Sequence, residues 1–197
     1  MNDQAIASIR QYLEGLEWLM GQTARMPSSA QSPHRFLLER GQAFRVGSNT
    51  YKGRRDTPKQ CFSNAGRRAL KPDTDLLYAE GYTTSVGYLP IPHAWLVTPD
   101  GEVIDTTLRG GDEVLGERGY FGLAFTREYL AKSVLKTEHW GLLHTEMSEP
   151  PAMRDILLGN THGMLAEIET RSLEELLQIA DDKHAAQMAD LTPDEER

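Results

Sequence analysis

At 197 residues, with 39% hydrophobic and 25% charged side chains, the chain has the makeup of a soluble globular protein, large enough for one sizeable core and too small for two independent domains. No apolar run approaches the roughly 20 residues of a membrane span, and Met1-Asn2-Asp3-Gln4 lacks the features of a secretory signal, so a cytoplasmic location is expected. One cysteine excludes an internal disulfide and any zinc site built on two thiolates, and no histidines form a His-Glu-x-x-His pair, so neither metal nor cofactor is expected.

The net charge of −8 is unevenly spread. Lys52, Arg54, Arg55, Lys59, Arg67, Arg68 and Lys71 face only Asp56 between positions 52 and 71, whereas residues 165 to 197 are strongly acidic. The basic run flanks the single cysteine. It either attracts an anionic substrate and favours a thiolate, or forms a solvated face that balances the acidic tail. Sparse aromatics in the run and the acidic total argue against nucleic-acid binding.

In chain order, residues 2 to 21 predict an amphipathic helix with Ile6, Ile9, Leu13, Leu16 and Met20 along one stripe. A connector over Thr23 to Pro33 leads to a short helix from His34 to Arg40 and a brief strand at Ala43–Val46. A polar loop from Gly47 to Pro58 delivers the chain to a helix that opens at Cys61 and ends near Lys71-Pro72. Residues 76 to 84 predict a strand whose Gly81 marks a bulge or a close backbone approach. Two further extended segments follow, Ile91–Val97 and Glu102–Thr107, with Pro90 and Pro92 confining the first to a sheet edge or a strand start. Residues 110 to 122 read as a glycine-rich loop, a flap rather than a phosphate cradle. Thr126 caps a helix to about Lys136, and Pro150 to Leu158 is a short helix closed by Gly159. The capping box Ser172-Leu173-Glu174-Glu175 starts a last helix to about Ala189. Three parts emerge: an N-terminal helix over 1–22, an α+β core over 34–145 and a C-terminal helical extension over 150–197. The terminal helices leave room for a homodimer.

Cys61 is the residue to which the rest is referred. A thiol at a helix start sits against orphan N–H groups and the positive end of the dipole, which favour the thiolate. A nucleophile needs a base and a group that orients the base. His93 and Asp105 lie on the two extended segments downstream. Thr98-Pro99-Asp100-Gly101 suits a type I turn continued by a left-handed glycine, a three-residue loop that sets Trp95 opposite Asp105 and His93 opposite Thr107. His93 and Asp105 then share a face as diagonal neighbours; a two-residue loop would invert one of them.

Cys61 opening a helix, Pro92-His93-Ala94-Trp95 on a strand, then Asp100-Gly101 and Val103-Ile104-Asp105-Thr106-Thr107, resemble the papain-like superfamily in its transglutaminase-like branch. The Cys, His, Asp order is also similar to NlpC-type peptidases and arylamine N-acetyltransferases, and the resemblance covers roughly residues 58 to 108. The resemblance implies an α+β fold, with a nucleophile helix on a small antiparallel sheet and helical extensions at both termini. The implied chemistry is amide hydrolysis or acyl transfer on a protein or peptide through a covalent acyl-enzyme. Cys61 would be nucleophile, His93 base and Asp105 orienter, with the Cys61 N–H and the Gln60 or Asn64 side chain meeting the oxyanion. The alternative is a catalytically silent papain-like or α+β protein-binding module.

Overall fold

The N-terminal stripe forms helix α1 (Asp3–Thr23), whose first turn is capped by Asn2 Oδ1 accepting the Ala5 N–H at 3.2 Å. The computed structural model describes residues 2–23, 32–47, 55–108, 117–144 and 150–168, and the helix expected after Ser172 lies outside them. Ala5, Ile9 and Leu13 are completely buried, whereas Leu16 and Met20, expected on the same stripe, are half-buried. The period predicts a face, and the length of the surface beneath it decides how much of that face is covered.

Helix α2 (Pro33–Arg40) starts with Pro33 in its first turn and Ser32 as its cap, Ser32 Oγ accepting the Arg35 N–H at 3.1 Å. The same hydroxyl donates to the Glu17 carboxylate, tying α2 to α1. Helix α3 (Cys61–Ala69) opens at the cysteine; α4 (Arg127–Thr137) is capped by Thr126 Oγ1, which accepts the Tyr129 N–H at 3.2 Å, and α5 is Pro151–Leu157. None of these helices is long and apolar enough to cross a membrane.

The strands are β1 (Gln42–Phe44), β2 (Leu77–Ser85), β3 (Ile91–Val97), β4 (Val103–Ile104) and β5 (Arg118–Phe125), in one antiparallel sheet of order β1-β5-β2-β3-β4. The fold class is therefore α+β, with helices before and after the sheet in the chain. The sheet curls until its two edges meet. The Arg45 N–H donates to Gly101 O at 3.2 Å and the Val103 N–H donates to Arg45 O at 2.8 Å. Curling gives the sheet a concave core of Phe44, Ala79, Trp95, Val97, Val103, Tyr120 and Ala124. Its other face carries Tyr78, Tyr82, Leu96, Phe121, Leu123 and Phe125, which pack with side chains from all five helices.

One expectation is corrected here. Gly119 and Gly122 belong to β5, a strand flanked on both sides, and not to a loop. Both are glycines of close approach. A Cβ on Gly122 would come within 2.4 Å of the Glu80 carbonyl oxygen, and one on Gly119 would meet the Ala5 Cβ at 2.9 Å where α1 crosses. Tyr120, Phe121, Leu123, Ala124 and Phe125 between and after them are buried, as a central strand requires. Of the predicted flap, residues 110–116 lie outside the described residues. Gly81 is likewise a close approach and not a bulge, because its pairings to His93 and Gly122 sit in unbroken registers.

Candidate active site

The hairpin that carries His93 and Asp105 adopts the three-residue loop. Gly101 has φ +80° and donates its N–H to Thr98 O at 2.9 Å, while the Thr98 N–H donates to Glu102 O at 3.0 Å. The ladder pairs Leu96 with Ile104 and Val97 with Val103, the register in which His93 and Asp105 share the concave face. β4 stops at Ile104, so it covers only the far end of β3 and leaves the Pro92–His93 end as an edge. That is where a proline is tolerated.

Asp105 leaves the ladder and folds its carboxylate onto its own turn. Oδ1 accepts the N–H groups of Thr107 at 2.8 Å and Leu108 at 3.0 Å. Oδ2 accepts the Tyr120 hydroxyl at 2.9 Å and lies 2.8 Å from His93 Nε2. The chain ahead of α3 ties itself to the same turn. The Asp56 N–H donates to Thr106 O at 2.9 Å, the Arg55 guanidinium donates to Asp105 O, and Asn64 Nδ2 donates to Thr57 O at 2.8 Å and to Thr107 Oγ1 at 2.9 Å. These bonds bring the start of α3 to the open edge of β3. Arg68 pairs with Asp56 through two hydrogen bonds of 2.6 and 2.8 Å and fixes the other end of that approach.

The result brings Cys61, His93 and Asp105 together. With Nε2 facing Asp105, Nδ1 is the ring nitrogen left for Cys61, which stands near enough to the imidazole to favour its charged form. Burial disfavours the imidazolium, but the Asp105 hydrogen bond, the Cys61 contact and the charges of both push His93 up to about 9. Asp105 shows the complementary balance. Burial works against its charge, and His93 with the N–H groups of Leu108 and Thr107 overrides this and holds it below its ordinary range. Burial, then the charge of Asp105, drive Tyr120 well above the ordinary phenol range, so the hydroxyl keeps the proton it donates. His93 and Asp105 are 2% and 5% exposed; Cys61, at 9%, is the most accessible of the three.

The two side chains expected at an oxyanion differ. Both protons of the Asn64 amide have acceptors, so this side chain braces the site and has no donor to spare. Gln60 is exposed, makes no capping bond, and precedes Cys61 at the mouth of a cleft. The Cys61 N–H, at the first position of α3, has no intrahelical acceptor. Lys59, just before, has φ +64°, an uncommon conformation for a side chain with a Cβ, and the turn it makes launches the helix. Among the described residues no group of three or more His, Cys, Asp or Glu side chains could hold a metal ion.

No family model, curated protein or solved structure matches this chain.

Sequence reasoning missed two contributors. Tyr120 sat in the segment read as a loop; its signal was the alternation around two glycines. Glu80 is completely buried on β2 and accepts from the Tyr78 hydroxyl at 2.7 Å, the N–H groups of Leu142, Leu143 and His144 at 2.7, 2.8 and 2.6 Å, and His144 Nδ1 at 3.2 Å. An acid inside Leu77-Tyr78-Ala79-Glu80-Gly81-Tyr82 is the signal of such an anchor, since a buried carboxylate needs several donors.

Proposed function

We propose that this protein is a thiol-dependent amide hydrolase or acyl transferase that works through an acyl-enzyme on Cys61. The observation that carries the reading is the buried His93 Nε2–Asp105 Oδ2 pair at 2.8 Å, its carboxylate held by three further donors, with Cys61 near enough to the imidazole to favour its charged form. Cys61 Sγ adds to the acyl carbon with its proton carried on His93 Nδ1. The tetrahedral oxyanion is met by the Cys61 N–H and by Gln60. The C–N bond breaks as the imidazolium returns its proton to the departing amine, leaving a thioester. Water or an acceptor amine then attacks the thioester, giving its proton to Nδ1, and the thiol is restored. Asp105 holds the ring in the required tautomer and stabilises its cation.

The likeness to transglutaminase-like and NlpC-type enzymes supports the same order of roles. A protein or peptide substrate fits a site at the surface end of a sheet edge, and a cytoplasmic setting suits a lone unpaired thiol. Much of the basic segment is engaged in the structure itself, since Arg55 and Arg68 bond within the site and Arg67 lies against Trp140. Lys59 lines the cleft beside Cys61 and is placed to attract an anionic substrate there. A silent binding module is the second reading, and the low exposure of Cys61 favours it.

The deciding experiment is labelling of the native protein with an acyl or alkylating probe. The enzyme reading expects rapid modification of Cys61 near neutral pH that is lost in His93→Ala, together with an acyl adduct visible by intact mass. Modification only after denaturation would reject it in favour of the binding module.

A further inference from the structure

A cleft of about 480 Å³ adjoins the candidate nucleophile. Its walls include Gln60 and Phe62, the residues on either side of Cys61, Pro92, the residue before His93, and Lys59, Trp140 and His144. Neither Cys61 nor His93 lines the cleft, but the chain neighbours of both do, which sets it beside the sulfur.

The wall opposite α3 is held from beneath. Glu80 grips the N–H groups of Leu142, Leu143 and His144, and the Tyr78 hydroxyl, whose proton goes to Glu80, lies 3.3 Å from Trp140 O. The indole of Trp140 lies on α3 at Gly66, where an added Cβ would approach the ring to 2.4 Å, and the Arg67 guanidinium stands 5.8 Å from its centroid. The His144 ring is set edge-on to Tyr82, with centroids 4.9 Å apart. Trp140 is thus a fixed flat surface, as a subsite that orients a planar group requires. The lining contains no carboxylate, and Lys59 contributes its one fixed charge, a positive one.

We propose that this cleft binds an aromatic side chain of the acyl donor, stacked between Phe62 and Trp140, and that Lys59 favours an anionic group beside it and disfavours a cationic one. This specificity rests on the reading of Cys61 as the acyl-accepting thiol. It assigns the substrate class as amides or thioesters whose acyl part carries a neutral or anionic aromatic group.

The test compares rates of Cys61 modification in the full chain by chloroacetamide, N-benzyl chloroacetamide and a chloroacetamide bearing an aminoethyl group, each divided by its rate with a free thiol. The benzyl reagent is expected to be about tenfold faster than the parent, the scale of partly burying one ring, and the aminoethyl reagent slower. In Phe62→Ala and Trp140→Leu the benzyl-to-parent ratio should fall towards one, and Lys59→Glu should reverse the penalty on the cationic reagent. A ratio near one in the wild type, or a ratio unmoved in both aromatic variants, overturns the subsite while leaving Cys61 a reactive thiol. If none of the reagents labels native Cys61, the nucleophile itself falls and the subsite with it.

Discussion

His93 is where residue chemistry and pH dependence meet. Its folded pKa of about 9 stands above the ordinary 6.5, so the folded state binds a proton more tightly than the unfolded chain. The stability from this group is complete below about pH 6.5 and is lost as pH rises to about 9, on the order of 3 kcal/mol for a shift of this size. Urea unfolding at pH 6 and pH 9.5 should show that loss, and His93→Gln should flatten it. Asp105 has the opposite sign: its contribution is present above the ordinary carboxylate range and disappears as acid protonates it. If the imidazolium is the acid that protonates the departing amine, kcat/KM for an amide should decline through about pH 9. Alkylation of the thiol, which needs no leaving-group acid, should not follow that decline. Among substitutions, Cys61→Ala and His93→Ala should abolish turnover, and Asp105→Asn should leave a remnant reduced by roughly a hundredfold or more. Tyr120→Phe removes one of the donors to the Asp105 carboxylate and should lower stability by roughly 1.5 to 3 kcal/mol, read by denaturant titration.

Between residue and fold stand the two elements that hold the site from outside. Glu80 on β2 faces the helices, yet it fixes the segment after α4 through three backbone N–H groups, each within 2.8 Å. Glu80→Gln keeps the shape but turns an N–H₂ group toward those donors. It should cost roughly 2 to 3 kcal/mol in thermal or denaturant unfolding and also loosen the Trp140 wall. β5 is the element that pattern reading lost. Five glycines between 110 and 122 resemble a loop in one dimension. Two of them sit where the Glu80 backbone or α1 approaches within 3 Å of a missing Cβ, a fact of packing that no local window contains. The capped helices were legible for the opposite reason. Thr126 and Gly159 act within one turn of their own positions, so their meaning is local.

For the molecule as a whole, α1 and the curled sheet make one core. Ile9 and Leu13 join the cluster that includes Phe121 and Leu123 of β5, so the N-terminal helix is structural. Leu13→Ala should lower the unfolding free energy by about 2 to 5 kcal/mol, where an appendage would lose almost nothing. What the amino-acid order determined by itself is whatever depends on neighbours in the chain. That covers the α+β class, the capped helices, and the odd-numbered loop at Thr98–Glu102 whose parity sets His93 and Asp105 on one face. Only the tertiary structure decided that β4 ends early, that the strand edge so exposed receives Cys61, and that Tyr120 and Glu80 supply the hydrogen bonds beneath. Contacts of that kind join residues far apart in the chain, and burial, not periodicity, selects them.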